Sequence, residues 1–338
     1  MNGLFRKIRL LVAFVSAGLC LLAMASVSQA APQRKFKVVV LIGSVANEGS
    51  FNQVAIIALK KLAAEGKIEY EVRDRVSDPT ASEPVIRLYA SRGYDLIIGH
   101  GIDISEPILK VAKDFPQIHF TASAGPDLEG KLLPNVDGWT YDFGQFGYLG
   151  GWLAGKIKGV KIYGAVGGPQ LPFILATHKG FKTGLAATNP AGKVVEVYTG
   201  SFDDAQKALE ATRSVAARGA TLIWTSGDGI SNGVAAGANQ LGLRTIGVFG
   251  ESGGLAPKVN ISSVVLDMYP LYSAWLDEIS KGTFGHHFVV QQLSNRGLIL
   301  TPLNRIGSGI PDDIVPQQEK LIQDLKSGAL KLPNFFAP

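Results

Sequence analysis

The regular alternation of strand-like and helix-like segments limits the possible folds of this chain more than any other feature. Short apolar and β-branched runs, such as residues 36–43 and 94–101, predict buried strands. Segments with helical apolar spacing follow these runs, and the segment that begins at residue 54 ends on Gly66, as helices often do. Strict alternation of this kind predicts a parallel sheet covered by helices on both faces.

The alternation occurs twice, with a seam near Tyr141. A segment rich in small residues, GQFGYLGGWLAGKIKG, predicts a closely packed helix at the start of the second series. After residue 268 the chain contributes one more helix and then extended segments, which suits a chain that recrosses between two lobes and forms a hinge. We therefore predict an α/β fold of two doubly wound, Rossmann-like parallel-sheet lobes. The predicted first lobe comprises residues 31–140 and 268–285, and the predicted second lobe comprises residues 141–267 and 286–338.

An export signal is predicted for residues 1–30. Three basic residues precede an unbroken apolar or small run over residues 10–25, and Ser28 and Ala30 stand at the small-residue cleavage positions. Because the run is short for a membrane span, it predicts a secretory signal peptide cleaved after Ala30 rather than a retained anchor. The mature protein is therefore expected in the periplasm.

The single cysteine of the chain, Cys20, lies inside that signal. Leu19 precedes it where a lipoprotein signal needs a small residue, so no lipid anchor is expected. A mature chain without cysteine has no disulfide bonds and depends on a full-sized hydrophobic core. Cleavage would remove three of 33 basic residues and none of 28 acidic ones, so the net charge would fall from +5 to +2. No cluster of Lys and Arg suggests nucleic acid as a partner.

A serine-hydrolase motif, G-x-S-x-G, occurs at residues 250–254 with Ser252 as the possible nucleophile. Asp267, His286 and His287 follow in the chain order of a hydrolase triad. The nucleophile elbow needs a helix directly after it, whereas the sequence here continues with LAPKVN, which has a proline and no apolar period. No enzymatic activity is therefore predicted, and a secreted serine hydrolase is kept as an alternative.

Cofactor and metal motifs are incomplete. Residues 227–233, GDGISNG, follow a strand and open a helix as a dinucleotide fingerprint does, but Asn232 stands where the third glycine belongs. None of the five histidines shows zinc-ligand spacing, and the predicted mature chain offers no cysteine ligand. We therefore expect neither a cofactor nor a metal.

Aromatic and polar residues recur where predicted strands end. Because the carboxyl ends of parallel strands face one crevice, such aromatic side chains can stack a planar ligand, and neighbouring polar groups can orient it. Each residue could equally serve core packing, a turn or a helix cap. The candidate ligand-binding residues are Ser50, Phe51, Asn52, His100, Trp139, Phe173, Phe202, Asp228 and Glu251.

Several segments carry a family resemblance from about residue 36 to residue 328, and their order and spacing make it more specific than any one of them. They include SVANEGSFNQ, YDLIIGHG, GQFGYLGGWLAGK, HKGFKTGLAATNP, GSFDDAQKALEATRSVAARGA and PDDIVPQQEKLIQDLKSG. The chain resembles the basic-membrane-protein family of substrate-binding proteins, which serve ABC importers. The resemblance implies a type I periplasmic-binding-protein fold, with three crossovers between two lobes and a ligand trapped by hinge closure. It also implies an ABC transporter permease as partner. Characterised relatives bind purine nucleosides or nucleobases between aromatic side chains.

The resemblance also suggests roles for single residues. Ser50, Phe51 and Asn52 match the family's S-F-N stretch, where Phe51 would form one stacking wall and Phe202 the other. The nucleoside-binding relatives carry an acidic residue after the GV of the strand RTIGV, where this chain has Phe249, with Glu251 two residues further on. A nucleobase or another planar heterocycle is thus as good a ligand candidate as a nucleoside. We expect a monomeric binding protein, and a periplasmic ligand sensor of the same fold is a second alternative.

Overall fold

The computed structural model describes residues 34–249 and 258–336, apart from residues 124, 126 and 127. The predicted signal peptide and two residues considered above, Glu251 and Ser252, lie outside the described residues. No helix in the described ranges combines the length and the apolar character that crossing a bilayer requires.

The first of two sheets has six strands, and all of its recorded strand pairs are parallel. Its strands, in chain order, are β1 (Phe36–Ile42), β2 (Ile68–Arg73), β3 (Leu96–His100), β4 (His119–Ser123), β5 (Val136–Tyr141) and β11 (Phe288–Gln291). Their order across the sheet is β11-β5-β4-β3-β1-β2. The helices between or beside these strands are α1 (Phe51–Ala64), α2 (Pro79–Ser91), α3 (Ser105–Ala112) and α8 (Tyr269–Lys281), and a 3-10 turn (Ile102–Ile104) precedes α3.

The second sheet also has six strands. They are β6 (Ile162–Gly167), β7 (Lys193–Tyr198), β8 (Leu222–Ser226), β9 (Arg244–Phe249), β10 (Asn260–Leu266) and β12 (Leu298–Leu300), in the order β12-β10-β9-β8-β6-β7. Among the described residues of this sheet, only β12 pairs antiparallel, with β10. The associated helices are α4 (Phe143–Lys156), α5 (Pro172–Thr188), α6 (Ala205–Ala217) and α7 (Ile230–Leu241), and α9 (Ile314–Ser327) is the last helix of the described chain.

Within the described ranges the chain passes between the two sheets three times: after β5, after β10 and between β11 and β12. This topology confirms the predicted fold class of two doubly wound lobes. One predicted lobe boundary is wrong, because residues 286–338 were assigned to the second lobe and β11 belongs to the first sheet. Strand β11 fits beside β5 because Gly138 leaves room for the ring of Phe288, which would lie 2.6 Å from a Cβ at that glycine.

The predicted close packing at the start of the second lobe is found between α4 and α5. A Cβ at Gly147 would overlap the carbonyl oxygen of Thr177, and a Cβ at Gly151 would overlap that of Phe181. The two helices therefore approach at backbone distance, which only glycine permits at these positions. Trp224, expected in the core from its place inside a strand, is 1% exposed and stacks on Phe181.

Candidate functional site

The loop between β1 and α1 lies at the carboxyl edge of the first sheet, as predicted. Ser50 precedes α1 and is fully buried, and its Oγ has no hydrogen-bond partner among the described residues. Asn52 donates from Nδ2 to Glu48 Oε2 at 2.7 Å, and its backbone N–H donates to Glu48 Oε1. Glu48 is therefore the carboxyl group that organises this loop, and burial raises its pKa to about 7 although the Asn52 hydrogen bonds counteract the rise.

Three aromatic rings are stacked behind this loop. Phe51 lies 4.2 Å from His100 between ring centroids, and His100 lies 5.2 Å from Trp139, with interplanar angles of 26° and 24°. His100 Nε2 lies 2.9 Å from the Phe51 carbonyl oxygen, which can only accept, so this nitrogen carries the proton. Burial lowers the pKa of His100 to about 4 and keeps the ring neutral, with Nδ1 3.4 Å from the Tyr272 hydroxyl.

These contacts assign different roles to residues that the sequence placed together. Phe51 is half-buried, whereas His100 and Trp139 have no exposed surface. The Phe51 ring covers His100 and Trp139 by stacking on them from one side, so a direct ligand contact of these two residues stays a prediction. They hold the Phe51 ring in a fixed orientation from behind.

The second lobe contributes another aromatic group. Phe173, in the first turn of α5, and Phe202, in the loop after β7, stack with their planes 4° apart and their centroids 6.2 Å apart. Phe143 lies 5.1 Å from Phe173 between centroids and 6.0 Å from Phe336. Sequence reasoning missed Phe143 and Phe336. The position of Phe143 just after β5 was a usable signal, whereas the C-terminal segment that carries Phe336 offered none.

The charges of three carboxyl groups act on a fourth, Asp228, where the two lobes meet. Asp228, in the loop after β8, has a pKa raised well above its ordinary value, mainly by burial and then by the charges of Glu48, Asp203 and Asp103. Glu48 and Asp103 belong to the first lobe, and Asp203 and Asp228 belong to the second. Like charges in a partly dry space favour either proton uptake or a bound group that supplies hydrogen-bond donors.

A direct hydrogen bond joins the lobes at the same place. Asn232 Nδ2, in the first turn of α7, donates to the backbone carbonyl of Glu48 at 2.7 Å. This asparagine replaces the third glycine of the incomplete dinucleotide motif, and its side chain meets the other lobe. The structure thus shows the lobes in contact across the predicted cleft.

A serine, a histidine and a glutamate side chain are connected by hydrogen bonds elsewhere in the second lobe. Ser226 Oγ lies 2.8 Å from His178 Nε2, and His178 Nδ1 lies 2.9 Å from Glu196 Oε1. The arrangement has the connectivity of a catalytic triad, but Ser226 is 2% and His178 1% exposed. Burial lowers the pKa of His178, while His178 and Lys182 lower the pKa of Glu196 to about 2. These hydrogen bonds therefore stabilise the end of β8 beside Asp228.

The structure brings some of the predicted site residues together and separates others. Ser50 ends the loop that meets the second lobe, Phe51 and Asn52 begin α1, and the charge of Glu48 in that loop raises the pKa of Asp228. Phe173 and Phe202 form a pair of their own, and Glu251 lies outside the described residues. Glu48, Asp103 and Asp203 were not among the candidate ligand-binding residues, because acidic residues in loops carry no sequence pattern that separates a site from a solvated turn.

Comparisons with known proteins extend over most of the chain. The family model described as "ABC transporter substrate-binding protein PnrA-like" (Bmp) matches residues 35–299. A solved ABC transporter solute-binding protein from Conexibacter woesei has a TM-score of 0.81 and 48% identity, over 89% of this chain and 99% of that chain. A purine-binding protein of Brucella abortus is 24% identical over 264 residues, which are 78% of this chain and 73% of the relative.

A more distant neighbour has a different described role. The structure of a transcriptional activator of the comK gene from Bacillus halodurans has a TM-score of 0.73 at 20% identity, over 88% of this chain and 100% of that chain. At that identity the similarity shows the fold alone.

Proposed function

Because the chain belongs to the Bmp family of PnrA-like ABC transporter substrate-binding proteins, we propose that it captures a purine nucleobase or nucleoside, or a similar planar heterocycle, between its lobes. Members of this family bind solutes without converting them, so the chain is not an enzyme and Ser252 is not a catalytic nucleophile. Its partners are a small-molecule ligand and an ABC transporter, and its place of action is extracytoplasmic. Export by the signal peptide at residues 1–30 and a periplasmic location complete the proposal.

The observation that carries the ligand proposal is the supported ring of Phe51. Stacking of a base on an aromatic side chain is worth about 1–3 kcal/mol, and a ring that cannot turn away loses less entropy on binding. His100 and Trp139 restrict Phe51 in this way. The Brucella relative that is described as purine-binding supports a planar nitrogen heterocycle in particular.

The carboxyl groups around Asp228 support a ligand rich in N–H or O–H donors. The charge of Glu48 in one lobe raises the pKa of Asp228 in the other, and a hydrogen-bond donor placed between them would lower the cost of ionising Asp228. The ring N–H and exocyclic amino groups of purine bases are such donors, and the hydroxyl groups of a ribose are others. The two ligand classes therefore need to be compared directly.

Closure of the lobes connects binding to delivery. The hydrogen bond from Asn232 to the Glu48 carbonyl exists only while the lobes are in contact. A ligand that touches both lobes stabilises that closed form, and only the closed form presents both lobes to a permease in a defined relation.

A ligand panel tests the proposal. The mature chain, residues 31–338, is unfolded and refolded to remove co-purified ligand and is then titrated with purine bases, their nucleosides and non-purine aromatic compounds. A true ligand at 100 times its Kd raises the unfolding free energy by about 2.7 kcal/mol, and calorimetry should give one site per chain. If no purine shifts the melting temperature or releases heat, the purine assignment is wrong.

The rival role, a periplasmic sensor of the same fold, differs in its protein partner. Retention of a permease by the ligand-loaded protein supports transport, whereas retention of a receptor without a permease supports sensing. Light scattering on the same samples tests the expected monomer.

A further inference from the structure

A second group of ionisable side chains lies away from the cleft. Asp137 is at the amino end of β5, Glu278 is near the end of α8, and His287 directly precedes β11. The cleft lies at the carboxyl ends of the strands, so this group is at the opposite edge of the first sheet. One potential ligand atom from each residue lies within 4.8 Å of the other two.

The distances suit a small divalent ion. His287 Nδ1 lies 3.4 Å from Asp137 Oδ1 and 3.7 Å from Glu278 Oε2. In tetrahedral coordination with bonds of about 2.0–2.1 Å, neighbouring ligand atoms are about 3.3 Å apart. Movements of a few tenths of an ångström would therefore bring His287 Nδ1 and each of the two carboxylate oxygens to the spacing of neighbouring ligands on one ion.

Two carboxylate oxygens in this group are buried without a hydrogen-bond partner. Asp137 has no exposed surface, and its Oδ2 has no partner, although Oδ1 accepts the backbone N–H of His287 at 2.9 Å. Glu278 Oε2 is likewise buried and unpartnered. Within the described part of the chain, neither carboxylate forms an ion pair with Lys or Arg. Buried carboxylate oxygens without donors are costly unless a cation or a proton neutralises them.

We propose that Asp137, Glu278 and His287 bind a divalent transition-metal ion, for which Zn²⁺ is the matched probe. Imidazole nitrogen and carboxylate oxygen are both zinc ligands, and a water molecule would complete a tetrahedral coordination. His287 is 49% exposed, so an ion can reach the site from solvent. The ion would link α8 to strands β5 and β11 of the first sheet. Helix α8 and strand β11 form the part of the chain between its second and third passages from sheet to sheet.

A shared proton is the competing explanation for the same geometry. Burial raises the pKa of Asp137 and of Glu278, and the charge of Asp137 raises the latter further. Two carboxyl groups that share one proton would be satisfied without any metal. The variant Glu278→Gln separates the two explanations. Glutamine relieves the repulsion between the carboxylates but is a poor zinc ligand, so only a metal site predicts that this variant loses zinc affinity.

Zinc titration of chelator-treated mature protein, prepared without a histidine tag, tests the proposal. We expect saturable 1:1 binding by calorimetry and a zinc-dependent rise in melting temperature. Glu278→Gln and His287→Ala should each weaken zinc binding at least tenfold, whereas Asp277→Asn, at an exposed carboxylate beside the site, should change it less than twofold. Glu278→Gln should also melt at a higher temperature than wild type in the absence of zinc.

The use of two variants keeps the test decisive if one of them folds poorly. No saturable zinc binding by wild type would overturn the proposal and leave the shared proton as the explanation. Equal zinc affinity of wild type and a folded Glu278→Gln or His287→Ala variant would also overturn it, because the ion would then bind elsewhere. Since the site is remote from the cleft, zinc binding and ligand binding can be measured separately in each variant.

Discussion

Glu48 should make the stability of this protein depend on pH in a defined direction. Its pKa is raised from 4.5 to about 7, chiefly by burial. Between these values the folded protein holds a proton that the unfolded chain has released, so the folded state binds more protons. The free energy of unfolding must then fall as the pH rises from about 4.5 to about 7. Glu48 is therefore expected to destabilise the fold at neutral and higher pH.

The size of the effect follows from the shift. A difference of about 2.5 pH units, at about 1.4 kcal/mol for each unit, corresponds to about 3 to 4 kcal/mol. Solvent screening of a partly exposed carboxyl group reduces this to a working value of about 2 kcal/mol. Glu48→Gln keeps an acceptor for the Asn52 donors but removes the charge, so this variant should be more stable than wild type by about 2 kcal/mol at pH 8.

Urea unfolding of the ligand-free mature protein at several pH values from 4.5 to 8 measures this prediction. Asp228 and Asp103 also have raised pKa values and contribute to the pH dependence of every variant. The informative quantity is therefore the difference between Glu48→Gln and wild type, which should be near zero at pH 4.5 and grow towards pH 8. Glu210→Gln, at an exposed position on α6, serves as the charge-matched control.

Two results would refute this reasoning. A stability difference between Glu48→Gln and wild type that stays constant over the whole pH range would show that Glu48 titrates alike in folded and unfolded protein. A Glu210→Gln variant that reproduces the same pH-dependent gain would show that net charge, and not the burial of Glu48, is responsible.

Two further predictions concern ligand binding. Phe51→Ala should weaken binding of the ligand found in the panel by about 1–3 kcal/mol, measured by calorimetry. The control Phe115→Ala, which truncates a half-buried ring elsewhere in the first lobe, should lower the melting temperature but leave the affinity unchanged. An equal loss of affinity in the two variants would contradict a stacking role for Phe51. Asn232→Ala should lower affinity about two- to tenfold and increase the radius of gyration of the ligand-free protein, since the closed form loses one hydrogen bond. An affinity equal to that of Asn239→Ala, an exposed change on the same helix, would count against this role.

The fold could be predicted from the sequence because its signals are local. Strand and helix periods, and the glycines that end helices, depend on residues close together in the chain. Their strict alternation predicted parallel sheets, and the break in that pattern after residue 268 predicted a chain that recrosses. The same local segments carried the family resemblance that the family match over residues 35–299 confirms.

The sequence predicted the position of Phe51 but not what supports it. Its place after the first strand follows from the order of elements along the chain. That His100 and Trp139 lie behind it, fully buried, depends on the parallel pairing of strands that crossover helices separate in sequence. A residue at a strand end can face the cleft or the core, and no local pattern distinguishes the two.

Contacts between distant segments were decided only by the tertiary structure. The edge position of Phe288–Gln291 required the space above Gly138, and the hydrogen bond from Asn232 to Glu48 joins residues 184 positions apart. Asp137 and His287 are separated by 150 positions, so no spacing rule for metal ligands could have paired them. The alternation of strands and helices thus determined which sheets form and in what sense they are wound, whereas packing across the sheets decided which side chains meet, because that depends on shape and burial in three dimensions.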